Sequence, residues 1–518
     1  MATPQEKLAG SLEVLRKLQD RGVVAIRAAD LSRAHRERLL KNGFLQEVMK
    51  GWYVAASPDD AAGESTAWYA SFWAFCAAYL RERFGSEWCL SPEHSLSLYT
   101  GNHAVPPQLV ARSPRGGNKA TALPYGTSLL DVRAAVPEEK DIAERDGLRL
   151  FLLPAALIAS SLAFFEHNPT DARAALATIR DASEVLDRFL EGGHSTIAGR
   201  LAGAFRNIGR DRIAEDIVNA MRAAGYTVRE QDPFASRINL VLPRREVSPY
   251  AGRIRLMWQQ MRGPVIERFP GSPGRPNDTD AYLKRVQEVY VTDAYHSLSI
   301  EGYRVSPALI ERVRSGAWHP DANEQDRGHR NALAARGYWL AFQAVQKSLR
   351  RVLRGENPGA VAEEDHGTWY REMFAPSVTA GLLRPADLAG YRNAPVYIRR
   401  SMHVPPNSAA VRDAMPVFFE MLTQEAEPSV RVVLGHFMFV YIHPYMDGNG
   451  RIGRFLMNVM LAAGGYPWTV VPMERRDAYM AALEEASVRQ NIVPFADFLA
   501  RLVKGGLRGK PVAKVPKG

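Results

Sequence analysis

The hydrophobic positions in the C-terminal half of the chain recur with the period of a helix. Between about residues 280 and 302, apolar side chains return every three or four positions, which predicts an amphipathic helix. Further along, the apolar run Phe437–Ile442 ends at a polar turn rich in glycine, and helical spacing resumes near Gly450. Residues 277–504 are therefore predicted to form a helical bundle that holds the polar turn rigidly.

The N-terminal half alternates helical and strand-like patterns. Residues 1–57 contain two helical segments, an Asn-Gly turn and a hairpin pattern, which is the outline of a winged helix. Residues 58–265 mix helical and short strand patterns, and the proline- and glycine-rich stretch 266–276 is typical of a linker. The predicted fold is multidomain and mainly α, with an N-terminal winged helix, a mixed α/β middle region and a C-terminal all-α bundle.

Composition narrows the class of protein. The chain has 518 residues, 46% hydrophobic and 24% charged, which is ordinary for a globular protein of several domains. No apolar run approaches the roughly 18 residues of a membrane span, and the N-terminus lacks the apolar core of a signal peptide. Two cysteines, Cys76 and Cys89, are too few for a disulfide framework or a zinc site, so a cytoplasmic location is expected.

Charge adds one further expectation. The net charge of +10 suits polyanionic partners, although many basic proteins have none. The last residues, 505–518, combine lysine and arginine with glycine and proline, which predicts a basic flexible tail.

The polar turn carries the strongest chemical signal, and it reads HPYMDGNGRIGR from His443 onward. Gly448 and Gly450 permit a left-handed backbone and a close approach to a ligand, so several N–H groups can face an anion. Asp447 precedes the turn and can hold Mg²⁺ against phosphates. His443 is the one group of this segment that can take a proton near neutral pH.

Two arginines follow the turn. Arg451 and Arg454 are three residues apart and share one face of the helix that starts near Gly450. The positive end of that helix adds to an anion site, and two guanidinium groups can clamp different oxygens of one polyphosphate. The whole segment therefore indicates a nucleoside triphosphate site beside a base that can activate a hydroxyl group.

This segment resembles the signature of Fic-domain proteins, HPFxDGNGRxxR, with Tyr445 in place of the phenylalanine. Fic proteins transfer AMP, or occasionally another phosphate-containing group, from a nucleotide to a hydroxyl of a target protein. The resemblance implies ATP as substrate, Mg²⁺ as cofactor and a C-terminal all-α Fic bundle with a β-hairpin. It also implies the catalytic residues, which are His443 as general base, Asp447 as the Mg²⁺ ligand, Asn449 and Arg451.

The same resemblance implies how the nucleotide is held. Gly448, Asn449 and Gly450 would cradle the α- and β-phosphates. Arg451 would contact the phosphates nearer the scissile bond, and Arg454 would hold the γ-phosphate. A Fic fold that binds nucleotide without catalysing a reaction is the alternative, and the presence of the base, the carboxylate and both arginines argues against it.

A second motif lies at the end of the predicted helix 280–302. Ser297, Glu301 and Gly302 fit the pattern [ST]xxxE[GN], which resembles the inhibitory motif of Fic proteins. That resemblance implies a salt bridge from Glu301 to Arg454, which would place a carboxylate where the γ-phosphate binds. An ordinary helix C-terminus that ends in Glu-Gly is the alternative.

A third element lies between these motifs. Residues 383–392 lead into Val396, Tyr397 and Ile398, and a loop followed by a short hairpin is predicted. It resembles the flap of Fic proteins, which pairs with an extended segment of the target protein, and strand addition of that kind recognises backbone more than side chains. A plain surface hairpin is the alternative.

The N-terminal region resembles the winged-helix domain of AbiEi-type antitoxins, and the middle region resembles the continuation of that family more loosely. Such domains bind operator DNA, which would place Arg33, Arg36 and Arg38 on or near a recognition helix and Lys50 in the wing. A winged helix that docks to protein is the alternative.

Taken together, the sequence predicts a protein adenylyltransferase that acts on a Ser, Thr or Tyr hydroxyl and is held inactive by Glu301. Two alternatives stay open, namely a nucleotide-sensing transcriptional regulator or antitoxin-like DNA-binding protein, and a Fic enzyme that removes AMP. The expected partners are a target protein, DNA through residues 1–57, and a second copy of the chain.

Overall fold

The structure is a computed structural model that describes residues 3–58, 64–192, 194–234, 248–318, 330–510 and 513–515. It is mainly helical and divides into two compact units. The N-terminal unit comprises residues 1–253 together with the inserted segment 397–404, and the C-terminal unit comprises 254–396 and 405–518. None of the described helices combines the length and apolar character needed to cross a membrane.

Residues 3–57 of the N-terminal unit begin with α1 (Pro4–Asp20). Thr3 caps this helix by accepting from the N–H of Glu6, whose carboxylate accepts from the N–H of Thr3, so two end donors are satisfied. After β1 (Ile26–Arg27) and α2 (Arg33–Lys41), the chain forms β2 (Leu45–Met49) and β3 (Trp52–Ala55). The sheet order is β1-β3-β2, with antiparallel pairs. This is the predicted succession of helix, second helix and hairpin.

Packing in the N-terminal unit does not stop at the predicted domain boundary, residue 57. Val48 and Val54 belong to the same buried cluster as Trp68 and Phe72. Residues of the segment 3–57 therefore share a core with the middle region.

The middle region mixes helices and short strands, as predicted. A four-stranded sheet has the order β4-β5-β7-β6, in which β5 and β7 are parallel, and β8 pairs with β9 as a separate hairpin. The strands are β4 (Cys89–Leu90), β5 (Gln108–Ser113), β6 (Lys119–Ala122), β7 (Ser128–Arg133), β8 (Ile142–Arg145) and β9 (Leu148–Phe151). The helices are α3 (Thr66–Phe84), α4 (Pro92–Tyr99), α5 (Leu153–Ala159), α6 (Leu162–His167), α7 (Pro169–Thr178), α8 (Ser183–Gly192), α9 (Ser195–Asn207) and α10 (Asp211–Ala223).

The C-terminal unit is built of helices around one large apolar core. Most of α17 (Pro428–Ile442) is buried, because its residues are apolar all round the helix rather than on one face. The helices are α11 (Pro249–Arg268), α12 (Thr279–Ile300), α13 (Pro307–Arg314), α14 (Arg330–Leu353), α15 (Pro358–Thr379), α16 (Ser408–Gln424), α17 (Pro428–Ile442), α18 (Asn449–Ala463), α19 (Arg476–Val488) and α20 (Val493–Leu507).

Three predicted boundaries differ in the structure. The division between the units falls at Arg253, and residues 266–268 form the end of α11 rather than part of a linker, because Trp258, Met261 and Val265 bury one side of that helix in the core. Residues 505–507 complete α20, and part of the predicted tail, 511–512 and 516–518, lies outside the described residues.

The predicted β-hairpin between α15 and α16 is wrong. Residues 380–407 contain no strand. Pro385–Leu388 form a short 3-10 helix, and the chain turns again at Arg399 and Arg400, where the N–H of Ser401 donates to the carbonyl of Ile398. Within the N-terminal unit, the carbonyl of Met402 accepts from Val105, so the segment's polar backbone groups bond outside a hairpin ladder.

Candidate active site

The predicted polar turn is the connection between α17 and α18, residues 443–450, called here the signature loop. His443 caps the C-terminus of α17 with φ 54° and ψ 60°, a left-handed conformation that is uncommon for a residue with a Cβ. Gly448 caps the N-terminus of α18 at φ 79°, where a Cβ would lie 2.8 Å from the ring of Phe374. The loop therefore turns sharply at both ends and presents the start of α18 to the site.

The side chain of His443 has a defined tautomer. Its Nδ1 lies 3.1 Å from the carbonyl oxygen of Val440, and because a carbonyl can only accept, Nδ1 carries the hydrogen. Nε2 is then left with a free lone pair. Burial, reinforced by the positive charge of Arg392, lowers the pKa of His443 to about 4, so the ring is neutral at pH 7 and can accept a proton.

Asn449 holds the loop in shape. Its Oδ1 accepts from the N–H of Tyr445 at 2.9 Å, and its Nδ2 donates to the carbonyl of Tyr445 at 2.8 Å. The ring of Tyr445 in turn stacks on that of Tyr370, with centroids 3.8 Å apart, which accounts for an aromatic residue at this position. Both polar atoms of the Asn449 side chain are thus engaged inside the loop, whose backbone they fix.

The start of α18 is suited to an anion. The first amides of a helix have no acceptor within the helix, and Arg451 and Arg454 follow them with side chains 2% and 5% exposed. Arg451 lies between the rings of Tyr303 and Phe374, and its buried Nε has no hydrogen-bond partner among the residues that the structure describes. An unpaired donor of this kind is what a phosphate oxygen would satisfy.

Asp447 is the exposed carboxylate of the site. Its Oδ1 accepts from the N–H of Gly448 at 2.6 Å, and its Oδ2 lies 3.4 Å from Nη2 of Arg451. The described residues contain no group of three or more His, Cys, Asp or Glu side chains that could hold a metal. One carboxylate at the edge of a phosphate site fits Mg²⁺, which commonly keeps water and phosphate oxygens as its other ligands.

Glu301 follows the last residue of α12 and reaches this site. Its Oε1 accepts from Nη2 of Arg454 at 2.7 Å, while Nε and Nη2 of Arg454 donate to the hydroxyl and the carbonyl of Ser297 at 2.9 and 3.0 Å. Burial raises the pKa of Glu301, but Arg454 and then Arg451 outweigh that effect and lower it, so the carboxylate is charged. Gly302, at φ 86°, lets the chain leave the helix directly after this contact.

Glu301 also lies against the signature loop. A Cβ at Gly450 would be 2.4 Å from Oε1 of Glu301 and 3.2 Å from Nη1 of Arg454. An added Cβ at Gly450 would therefore force the carboxylate of Glu301 to shift.

The sequence around this site is similar to that of a known protein family. A sequence model of the Fic/DOC family matches residues 363–461, which run from α15 to α18. Residues 363–461 are thus similar in sequence to the Fic/DOC family.

The chain also has similar curated proteins. The protein adenylyltransferase Fic of Drosophila grimshawi is 30% identical over 229 residues, which cover 43% of this chain and 44% of that protein. The protein adenylyltransferase Fic of Aedes aegypti is 28% identical over 229 residues, with 43% and 42% covered. The chain thus spans less than half of the length of these relatives.

Solved structures give a weaker likeness. Fic-1 (aa134 - 508) from C. elegans is 16% identical with a TM-score of 0.38, covering 68% of this chain and 97% of that one. A Fic domain containing signaling protein from Bacteroides thetaiotaomicron is 16% identical with a TM-score of 0.35, covering 52% and 99%. TM-scores this low add no support to the sequence match.

Sequence reasoning gave no role to several residues near Arg454. The hydroxyl of Tyr338 donates to Oδ2 of Asp293 at 2.6 Å, and the hydroxyl of Tyr479 lies 2.7 Å from Nε2 of His436. Burial raises the pKa of both tyrosine hydroxyls, and the nearby charge of Arg454 opposes that shift. Asp293 precedes Ser297 by one helical turn, so the four-residue spacing was a usable signal. The sequence has no comparable signal for the two tyrosines.

The other predicted site residues lie outside this cluster. Tyr397 and Ile398 belong to the segment inserted in the N-terminal unit, and Val396 is the last residue before it. The predicted DNA contacts lie in the N-terminal unit and are described next.

Two of the four residues predicted to contact DNA donate hydrogen bonds to other groups of the N-terminal unit. Arg36 donates to the carbonyl of Ala28 at 3.0 Å, and Arg38 donates to the carbonyl of Lys7 and the hydroxyl of Ser11. Arg33 is exposed but paired with Glu37 at 2.6 Å, and Lys50 is exposed.

Proposed function

We propose that the chain is a protein adenylyltransferase that moves AMP from ATP to a Ser, Thr or Tyr hydroxyl of a target protein. One observation carries the proposal: a neutral histidine with a free Nε2, an exposed carboxylate and two buried arginines converge on the first turn of α18. The Fic domain match and the relatives named protein adenylyltransferase Fic support the same activity.

The proposed reaction begins with binding of the triphosphate. The first amides of α18 and the side chain of Arg451 hold the α- and β-phosphates, and Arg454 holds the γ-phosphate. Mg²⁺ bound to Asp447 and the phosphates would neutralise charge that builds up on the leaving oxygens. Asn449 contributes by keeping the loop rigid through both of its hydrogen bonds to Tyr445.

Transfer is an in-line displacement at the α-phosphorus. The target hydroxyl gives its proton to Nε2 of His443 while its oxygen forms a bond to the α-phosphorus. The bond from the α-phosphorus to the oxygen shared with the β-phosphate breaks, and pyrophosphate leaves. The product is a target protein with AMP joined through a phosphodiester.

Glu301 holds the enzyme inactive in this proposal. Its carboxylate binds the guanidinium group of Arg454 that would otherwise hold the γ-phosphate. A triphosphate that enters with Glu301 in place meets a negative charge, and its tail cannot reach Arg454 in the pose that in-line attack needs.

Radiolabelled ATP tests the activity. The Glu301→Gly variant is incubated with a lysate and with ATP labelled at either the α- or the γ-phosphate. Transfer of the α label that is lost in the Glu301→Gly/His443→Ala variant supports AMP transfer. Transfer of the γ label that is lost in the same double variant would show phosphorylation by this site instead, and the absence of any transfer that depends on His443 would remove the proposal.

A second activity of the same site can be tested with the product. Glu301 is partly exposed beside His443 and could position water for removal of AMP. Labelled target protein is incubated with the wild-type chain and with Glu301→Gly. Release of the label by wild type and not by the variant would favour a de-adenylylating enzyme.

Only the order of helices and strands in the N-terminal unit supports a further role in DNA binding. Residues 3–57 form two α-helices and a three-stranded antiparallel sheet, which is compatible with the predicted winged helix, but Arg36 and Arg38 are bound to carbonyl groups of the protein. We therefore rank the nucleotide-sensing regulator below the transferase.

A further inference from the structure

Arg392 is a buried cation attached to the signature loop. It lies between α15 and α16, and it is only 2% exposed. Its Nε donates to the carbonyl of His443 at 2.7 Å, and its backbone N–H donates to the carbonyl of Pro444 at 2.9 Å. Nη1 donates to the carbonyl of Ala394 at 3.2 Å, and Nη2 donates to that of Pro406. Every one of these acceptors is a main-chain carbonyl.

Such an arrangement is unusual for a buried charge. Arginine is rarely enclosed unless a carboxylate pairs with it, because removing a cation from water is unfavourable. Burial lowers the pKa of Arg392 to about 10, which still leaves it charged at pH 7. Three carbonyl dipoles around the guanidinium group therefore do the work of a counter-ion, and one of them belongs to His443 in the signature loop. The next carbonyl of the loop, that of Pro444, is held by the backbone N–H of Arg392.

The residue that Arg392 grips is under backbone strain. His443 has a left-handed conformation that costs free energy for any residue with a Cβ. Its N–H is held by the carbonyl of Phe439 at 3.0 Å, and its carbonyl is held by Arg392. Rotation of the peptide group on either side of the His443 Cα would break one of these bonds, so together they fix the direction of the imidazole.

We propose that Arg392 is a positioning residue for the base: it holds the strained backbone of His443 so that Nε2 faces the hydroxyl to be activated. The inference rests on the proposed function for the role of His443 as a base. It adds a residue to that reaction that touches neither nucleotide nor target.

A purely structural role makes a different prediction. Arg392 also joins the two ends of the segment 394–406 through Ala394 and Pro406, so it could serve only to close that segment. Loss of a contact that only closes the segment would reduce the amount of folded protein, and it would not lower kcat while leaving the KM for ATP unchanged. Loss of a positioning contact would slow turnover in protein that still binds ATP normally.

Steady-state kinetics separates the two roles. In the Glu301→Gly background, we expect Arg392→Gln to lower kcat roughly 10- to 100-fold, the size expected for a misplaced base, while the KM for ATP stays within about twofold. Arg392→Lys, which keeps the charge and one donor, should recover part of kcat.

Arg412→Gln is the matched control. Arg412 also donates to carbonyls, those of Ser408 at 2.6 Å and Arg392 at 3.4 Å, and it is exposed. It should leave kcat and KM unchanged. A kcat for Arg392→Gln within about twofold of the parent, or a KM that rises as much as kcat falls, would overturn the proposal.

Nitrogen NMR of the full chain gives a readout that needs no activity. With ¹⁵N-labelled histidine, and His443→Ala to assign the signal, the parent should show His443 with a protonated Nδ1 and a bare Nε2. Arg392→Gln should move both shifts toward the average of the two tautomers. An unchanged tautomer would contradict the positioning role, even if the parent transferred no AMP and the proposed function itself had failed.

Discussion

Replacing Glu301 by glycine removes the carboxylate that occupies the guanidinium group of Arg454. The contact spans 2.7 Å, and the side chain of Arg454 is 5% exposed whereas that of Glu301 is 32% exposed. Arg454 does not lose its orientation with it, because the hydroxyl and carbonyl of Ser297 still accept from its Nε and Nη2. The variant should therefore have an open and correctly shaped site for a γ-phosphate.

The gain can be estimated from the bond that is lost. A hydrogen bond to a charged group contributes about 1.5–3 kcal/mol. A nucleotide that must displace Glu301 is disfavoured by that amount, and every 1.4 kcal/mol corresponds to a factor of about ten. Glu301→Gly should accordingly raise the rate of AMP transfer at subsaturating ATP roughly 10- to 100-fold.

The assay measures initial rates of label transfer at an ATP concentration below KM. Glu301→Gln, which keeps the shape and removes the charge, should give an intermediate rate, since a neutral bond contributes only about 0.5–1.5 kcal/mol. Glu288 is an exposed residue of α12, the helix that ends just before Glu301, so Glu288→Gln is the matched control and should match the wild-type rate. Stimulation by Glu301→Gly of less than about threefold would refute the inhibitory role.

Four further outcomes are expected. Arg454 and Arg451 lower the pKa of Glu301 against the effect of burial, so inhibition by Glu301 persists above pH 4.5 and is lost only as the pH falls below it. The ratio of the Glu301→Gly rate to the wild-type rate should therefore be constant from pH 6 to 8, and a ratio that falls toward pH 6 would contradict this. Burial raises the pKa of Asp293 to about 6, so ionisation of this carboxyl destabilises the fold as the pH rises from about 4 to 6. Asp293→Asn should therefore increase the free energy of unfolding at pH 7.5 by up to about 3 kcal/mol, measured by urea unfolding. A lower unfolding midpoint for the variant would contradict this. In the Glu301→Gly background, Gly450→Ala should weaken ATP binding at least about tenfold in calorimetry, because the added Cβ fills the space over the first turn of α18; unchanged affinity would show that phosphate does not bind there. Fluorescence anisotropy of the chain with promoter DNA should not depend on ATP, and an ATP-dependent change would favour the nucleotide-sensing regulator.

The elements around the site could be predicted because their local patterns agree with their environment. The apolar run before His443 is helical and buried in α17, and the spacing after Gly450 predicted α18 to within a residue of its start. The helix predicted at 280–302 is α12, Thr279–Ile300, and its end brings Glu301 to Arg454. Here local sequence and tertiary packing favour the same conformation.

The segment between α15 and α16 could not be predicted in the same way. Val396, Tyr397 and Ile398 favour a strand by composition, yet a strand forms only where a partner offers its backbone groups. Pro405 and Pro406 lack N–H donors, and the carbonyl of Met402 is used by Val105, which is almost 300 residues away in the chain. No local pattern records such a partner.

Burial of charged groups was the other feature that the sequence could not indicate. Arg392 lies in a segment without periodicity, so nothing in the sequence distinguishes it from an exposed arginine. Arg36 and Arg38, which were predicted to lie on or near a recognition helix, are half-buried and donate to carbonyl groups of their own unit, a contact that the sequence likewise does not indicate. Long side chains reach partners that are set by the tertiary fold.

Calorimetric titration of Glu301→Gly with ATP and Mg²⁺ tests the central claim most directly, because every step proposed for this site begins with a bound triphosphate. The account predicts one site per chain that is lost when Arg454 is also replaced by alanine, and a much weaker or absent signal for the wild-type chain. A Glu301→Gly chain that is folded and shows no binding of ATP would contradict the account.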